Sequence, residues 1–228
     1  VDDHQAASGD VTPLFDLDLE HGRCVGLRIE DGAAHALHDD ERLHAKTLTP
    51  TRAATWVAGR AALHAALERL GEASGPLLST PRGAPDLPAH LVGSISHKDT
   101  VAVGLVAHAR GDAVGVDVEI DRAPRTDIGR MILRDEERAE VEALSPDDRV
   151  LETLLRFSAK EALYKALDRY VGRYVGFKEA RMTPLADGSA RVELFLTKGE
   201  GPFEVEARWL RIEGLVLTTV RVRPVARR

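Results

Sequence analysis

Apolar residues along the chain change period several times, and each change predicts an element. Between Thr51 and Leu70 the spacing is helical: Leu63, Ala66, Leu67 and Leu70 fall at i, i+3, i+4 and i+7. Pro50 precedes this segment and Gly71 follows it, the expected start and stop signals. A longer helical pattern runs from about Asp148 to Tyr170, and a charged one from Glu136 to Leu144. Strand-like stretches occupy residues 23–30, 100–108, 114–120, 191–197, 203–212 and 215–222. Residues 1–20 are acidic and weakly patterned, which predicts an irregular lead-in, and the Pro- and Gly-rich stretch from Gly75 to Pro88 predicts a loop.

The two long helical patterns echo one another. Arg60 to Glu68 aligns with Lys160 to Asp168 at an offset of 100 positions, with Ala62, Leu63, Ala66 and Leu67 matched in type. Two amphipathic helices in an alanine-rich chain would also match in this way. Read as a duplication, the echo predicts an α+β fold of two similar halves, residues 1–111 and 112–228, related by a pseudo-twofold axis with the active site at their interface.

Composition narrows the function classes. The 228 residues are 43% hydrophobic and 30% charged, an ordinary globular mix. No apolar run approaches the roughly 20 residues that cross a bilayer. The opening Val1-Asp2-Asp3-His4 lacks the layout of a signal peptide, so a cytoplasmic protein without a membrane partner is expected. One cysteine, Cys24, excludes a disulfide framework and any multi-cysteine zinc site. A net charge of −6 with scattered basic residues argues against nucleic acid, while leaving room for an anionic ligand in a local basic cluster.

Four groups of residues carry chemistry. In Val114-Gly-Val-Asp-Val-Glu-Ile120 the apolar residues share one strand face, and Gly115, Asp117 and Glu119 share the other. The two carboxylates are about 6.5–7 Å apart along the strand, a spacing that suits either a magnesium ion or a solvated face. In Phe157-Ser-Ala-Lys-Glu-Ala-Leu-Tyr-Lys165, Glu161 and Lys165 stand one turn apart, opposite Leu163, Ala166, Leu167 and Tyr170. They are an exposed ion pair, or a metal ligand and base beside a phosphate-binding lysine. Gly93-Ser-Ile-Ser-His97 places a histidine beside small hydroxyls before a strand, where it could hydrogen-bond phosphate, turn the chain, or form a Ser96/His97 hydrolytic pair. The Gly-x-Ser-x-Gly elbow is absent. Arg52 and Arg60 on the first helix and Arg82 in the loop are surface arginines or a nucleotide-phosphate clamp.

In their order and spacing, Gly-Val-Asp-Val-Glu (115–119) and Phe-Ser-Ala-Lys-Glu-Ala-Leu-Tyr-Lys (157–165) closely resemble the two signature motifs of the Sfp/EntD-type 4′-phosphopantetheinyl transferases. Ser-Ile-Ser-His (94–97) resembles their upstream motif, and the segment bearing Arg52, Arg60 and Arg82-Gly83 their coenzyme A-binding region, nearest to the EntD-like branch. The resemblance implies transfer of phosphopantetheine from coenzyme A to a serine of an acyl or peptidyl carrier protein, by a monomer using magnesium, or manganese in its place. It implies Asp117, Glu119 and Glu161 as metal ligands, with Glu161 as the base for the serine and Asp117 counted in the catalytic set. Lys165 would assist departure of 3′,5′-ADP. Lys160, Ser96, His97, Arg52, Arg60 and Arg82 would contact the phosphates and the nucleotide. Val118 is apolar where some relatives carry a polar residue, which leaves three protein ligands. A non-catalytic coenzyme A- or carrier-binding module on the same fold is the reading from another class. The carrier is expected to dock between Asp121 and Leu155, and the segment after Met182 carries no motif.

Overall fold

The computed structural model describes residues 12–226 apart from 33–36, 74 and 125; the start of the expected lead-in, residues 1–11, lies outside the described residues. The first part of the chain forms β1 (Phe15–Leu19), β2 (Gly22–Arg28), α1 (Ile29–Gly32), α2 (Asp39–Ala45), α3 (Pro50–Leu70), β3 (Leu91–Lys98) and β4 (Val101–His108). The second forms β5 (Ala113–Ile120), α4 (Gly129–Ile132), α5 (Asp135–Glu142), α6 (Pro146–Val171), a 3-10 turn (Phe177–Glu179), β6 (Ala180–Pro184), β7 (Ser189–Leu194), β8 (Phe203–Ile212) and β9 (Leu215–Pro224). Two antiparallel sheets result, ordered β1-β2-β4-β3 and β5-β9-β8-β7-β6, which makes the fold α+β as expected.

The long helices start and stop by the same local rules. Pro50 and Pro146 occupy the first turn, where their missing N–H costs nothing, and Gly71 and Gly172 end the helices in left-handed conformation. Ser145 also caps α6, its hydroxyl accepting from the Asp148 amide.

Three expectations are corrected. The lead-in contains β1, whose short alternating Phe15-Asp-Leu-Asp-Leu19 pairs with β2. Gly93 to His97 does not precede a strand but lies inside β3. The internal echo also has a different register. Glu41 of α2 caps its own helix by accepting from the His38 amide, and accepts from His64 of α3 and the Leu77 amide. Glu137 of α5 does the same with the Arg134 amide, Lys160 of α6 and the Met182 amide. Glu41 and Glu137, His64 and Lys160, and Pro50 and Pro146 are each 96 positions apart, one helical turn short of the sequence match. Alanine-rich helices repeat their small residues nearly every turn, so sequence matches at 96 and at 100 are nearly equivalent.

Each helix covers its own sheet. On the first, Val25 and Leu27 of β2 pack with Ala61, Ala62 and Leu63 of α3. On the second, β5 pairs with β9 as β2 pairs with β4, but its helix-facing positions are Gly115, Asp117 and Glu119. The opposite face of β5, Val114, Val116 and Val118, joins Val103 and Leu105 of β4 in a core shared by the two sheets. Both faces of β5 are therefore buried, and the solvated strand face is excluded. A Cβ on Gly115 would overlap the Ala162 carbonyl oxygen, far inside van der Waals contact distance, so only glycine lets α6 lie this close. Gly115→Ala is expected to destabilise by about 3 kcal/mol. A urea midpoint equal to the parent's would mean that the helix can lift off β5 without penalty.

His21, in the turn between β1 and β2, ties the sheets together: it is fully buried, with Nδ1 2.9 Å from Thr219 Oγ1 on β9. Burial, reinforced by the Arg221 charge, pushes its pKa down to about 4. The unfolded chain, with an ordinary imidazole near 6.5, binds this proton first. Stability from the neutral ring is therefore complete above pH 6.5 and lost as pH falls through about 4, a loss of roughly 3 kcal/mol. Urea midpoints between pH 7 and 4 should show this slope in the parent chain and a shallower one in His21→Gln; equal slopes would place the titration elsewhere.

Candidate active site

The polar face of β5, the edge strand β3 and the middle of α6 meet at the seam between the sheets. Lys165 of α6 reaches across it: Nζ donates to Ser96 Oγ at 2.8 Å, the Val116 carbonyl at 2.9 Å and Asp117 Oδ1 at 2.9 Å. Asp117 Oδ1 also accepts from the Ser96 hydroxyl, and Oδ2 from Ser158 of α6. Ser94 Oγ accepts from the Val116 amide, which locks β3 to β5. Glu119, one pleat along, pairs with Lys98 at 2.7 Å. Glu161 stands on α6 one turn before Lys165. Burial and the Asp117 charge raise its pKa, against the pull of Lys165 and Lys98. Burial likewise raises that of Glu119, with the Lys98 hydrogen bond opposing it and Asp117 and Glu161 adding to it. Three carboxylates thus share one wall and repel one another.

Cavities open on both sides of this wall. One of about 300 Å³ lies between the Arg82–Pro85 loop, Gly93–Ile95 of β3, and Glu161, Lys165 and Asp168 of α6. It continues past Arg82 and Asp168 into a more apolar chamber of about 610 Å³. On the far side, Lys98, Glu119, Arg122, Leu154 and Phe157 bound a third, of about 310 Å³. His97 points to the face of β3 opposite Ser96, as neighbours on a strand must. Partial desolvation of this otherwise exposed ring and the nearby Lys165 and Arg52 charges lower its pKa.

The structure brings together Asp117, Glu119, Glu161, Lys165, Ser96 and Arg82, with His97 and exposed Arg52 on the rim. It does not bring Arg60 or Lys160 into the cleft. Arg60 is buried, donating from Nε to Leu77 O and from Nη2 to Leu78 O and Ser79, so these donors hold the loop. Lys160 is fully buried on the other side of α6, with Nζ on Glu137 at 2.6 Å and on Ile132 O at 2.8 Å. The phosphate contact expected of it is corrected to a structural ion pair. The hydrolase alternative also loses its geometry, because Ser96 is occupied by Asp117 and Lys165 and faces away from His97. Sequence reasoning missed Ser158, Lys98 and Asp168; the first two sit inside or beside the motifs, while only the fold places Asp168 against Arg82.

The donor set suits a hard divalent cation, since the carboxylates are oxygen ligands whose mutual repulsion such a charge would relieve. Among the described residues no group of three acids, histidines or cysteines is placed to hold a metal ion by itself. That is compatible with magnesium, which keeps waters and takes phosphate oxygens.

A buried acid cluster flanked by lysines, with Arg82 and Arg122 lining the clefts on either side, is the kind of site that group transfer to or from phosphorylated ligands uses. Residues 39–107 match the 4′-phosphopantetheinyl transferase N-terminal domain family and residues 113–220 the 4′-phosphopantetheinyl transferase superfamily. The chain is 33% identical over 204 residues to 4′-phosphopantetheinyl transferase Svp of Streptomyces mobaraensis, covering 84% of this chain and 81% of that protein. It is 32% identical to 4′-phosphopantetheinyl transferase Npt of Nocardia iowensis, over 84% of this chain and 90% of that one. It is also 32% identical to enterobactin synthase component D of Salmonella austin, over 70% and 68%. The chain belongs to the 4′-phosphopantetheinyl transferase superfamily and is an enzyme of the Sfp/EntD type.

Proposed function

We propose that this transferase takes the phosphopantetheine arm from coenzyme A and places it on a serine hydroxyl of a carrier protein, with magnesium held by Asp117, Glu119 and Glu161. The observation that carries this is the three-carboxylate wall meeting Lys165 at the seam, with a cleft lined by Arg82 on one side and a second opening on the other. The ion, when bound, supplies positive charge to the pyrophosphate. The chain's own residues do the rest by positioning and electrostatics. Glu161, whose pKa is raised, takes the proton of the serine hydroxyl, directly or through water, as its oxygen bonds to the β-phosphorus. The bond from that phosphorus to the bridging oxygen breaks, and Lys165 stabilises or protonates the departing 3′,5′-ADP. Arg82, Arg52 and His97 hold its phosphates, and Ser96 keeps Lys165 and Asp117 in register.

The carrier approaches from the opening beside Glu119 and Arg122, next to the segment from Asp121 to Leu155. A monomer is proposed on the family resemblance alone. Among the described residues no helix is long and apolar enough to cross a membrane, and Cys24 is buried and unpaired; a cytoplasmic setting rests on these features.

The test is intact-protein mass spectrometry of apo carrier proteins incubated with the chain, coenzyme A and magnesium, with and without EDTA. A phosphopantetheine-sized gain that EDTA removes is expected. No gain across a panel of carriers, with coenzyme A still bound, would favour the binding module.

A further inference from the structure

Arg82 closes the cleft from the loop side. Its Nε lies 2.8 and 3.0 Å from the two carboxylate oxygens of Asp168, and Nη2 donates at 2.5 Å, joining residues 86 positions apart. Both residues line the chamber that holds Glu161 and Lys165, and both line the larger chamber beyond it. The pair stands where the two chambers meet.

We propose that Arg82–Asp168 is a latch displaced by ligand: a phosphate of the donor takes Arg82 from Asp168, which makes Asp168 a residue that sets affinity for the anionic donor. This rests on the coenzyme A reading. The Arg82 side chain is 46% exposed and that of Asp168 26%, and ion pairs so placed are weak and open readily. A dianionic phosphate binds the same guanidinium bidentately and carries more charge than a carboxylate. Once displaced, Asp168 is an anion facing the phosphates, with Asp86, Lys165 and Arg169 as the other charged side chains of the larger chamber. Part of the binding free energy therefore goes into opening the latch. The free chain in return keeps the loop docked on α6.

The test is calorimetric titration of 3′,5′-ADP with magnesium into the parent chain, Asp168→Asn, Arg82→Ala and the double variant, with thermal melts of each. Asp168→Asn is expected to bind about two- to fivefold more tightly. Arg82→Ala should bind more weakly, and adding Asp168→Asn to it should bring no gain. Unchanged or weaker binding by Asp168→Asn at an unchanged melting temperature overturns the latch. So does an equal gain in both backgrounds, which would reveal direct repulsion instead. If Asp168→Asn melts early, Asp168→Ala is titrated below its melt; a purely structural Asp168 predicts weaker binding there too. A parent chain that neither binds 3′,5′-ADP nor modifies a carrier overturns the donor reading and the latch with it. One that does both, with no gain on removing Asp168, overturns the latch alone.

Discussion

Glu161→Gln is expected to lower carrier modification by about a thousandfold while its melting temperature stays at or above the parent's. The two halves of this result have separate causes. Glutamine is nearly the same size but cannot take the serine proton and is a poor ligand for a hard cation, so both functions proposed for Glu161 disappear. In the folded protein the carboxylate pays for its burial and for the nearby Asp117 charge, only partly offset by Lys165 and Lys98. A neutral amide removes that repulsion and leaves the packing of α6 on β5 untouched. Single-turnover transfer and a thermal melt check the two halves. Activity near normal would remove Glu161 from both the base and ligand roles. Lost activity with a sharply lower melting temperature would make it a structural residue.

Glu137→Gln should have the largest effect on stability, about 3–5 kcal/mol, or roughly 10 °C in melting temperature for a chain of this size. The carboxylate accepts from the Lys160 ammonium, the Arg134 amide and the Met182 amide, and neither it nor Lys160 is exposed. An amide turns one of those acceptors into a donor facing donors and leaves a buried ammonium without its anion. Burial already lowers the Lys160 pKa, with Glu137 opposing the shift. Adding Lys160→Met should recover much of the loss, because no charge then remains to be satisfied. Since Lys160 is turned away from the cleft, the folded double variant should keep a KM for coenzyme A within about twofold of the parent. Failure of the double variant to recover stability would show that the hydrogen bonds to Arg134 and Met182, and not the ion pair, carry the energy.

Legibility in the sequence followed how local each feature is. α3 and α6 were readable almost to their ends because Pro50, Gly71 and Gly172 act within a turn of where they stand. β1 was missed because five residues give little periodicity, and Gly93–His97 was placed before a strand instead of within one because Gly93, Ser94 and Ser96 are poor strand formers in isolation. Their place is decided by pairing with β4 and by the Ser94–Val116 hydrogen bond. The sequence echo at 100 and the hydrogen-bond parallel at 96 differ by one turn for a similar reason. Only hydrogen bonds reaching from α2 to α3 and from α5 to α6 distinguish 96 from 100.

The sequence by itself determined the chemistry of the site: the alternation of Val114 to Ile120 puts Asp117 and Glu119 on one face, and helical spacing puts Glu161 and Lys165 on another. It could not say whether those faces meet. Tertiary structure decided that, through Gly115 admitting α6 against β5 and through Lys165 crossing to Ser96 of β3. The same packing sent Arg60 and Lys160, which look like phosphate ligands in a linear reading, into buried bonds with Leu77 and Glu137. A side chain's residue type fixes what it can bind, but burial and the nearest partner of opposite charge fix what it does bind, and those depend on residues tens of positions away.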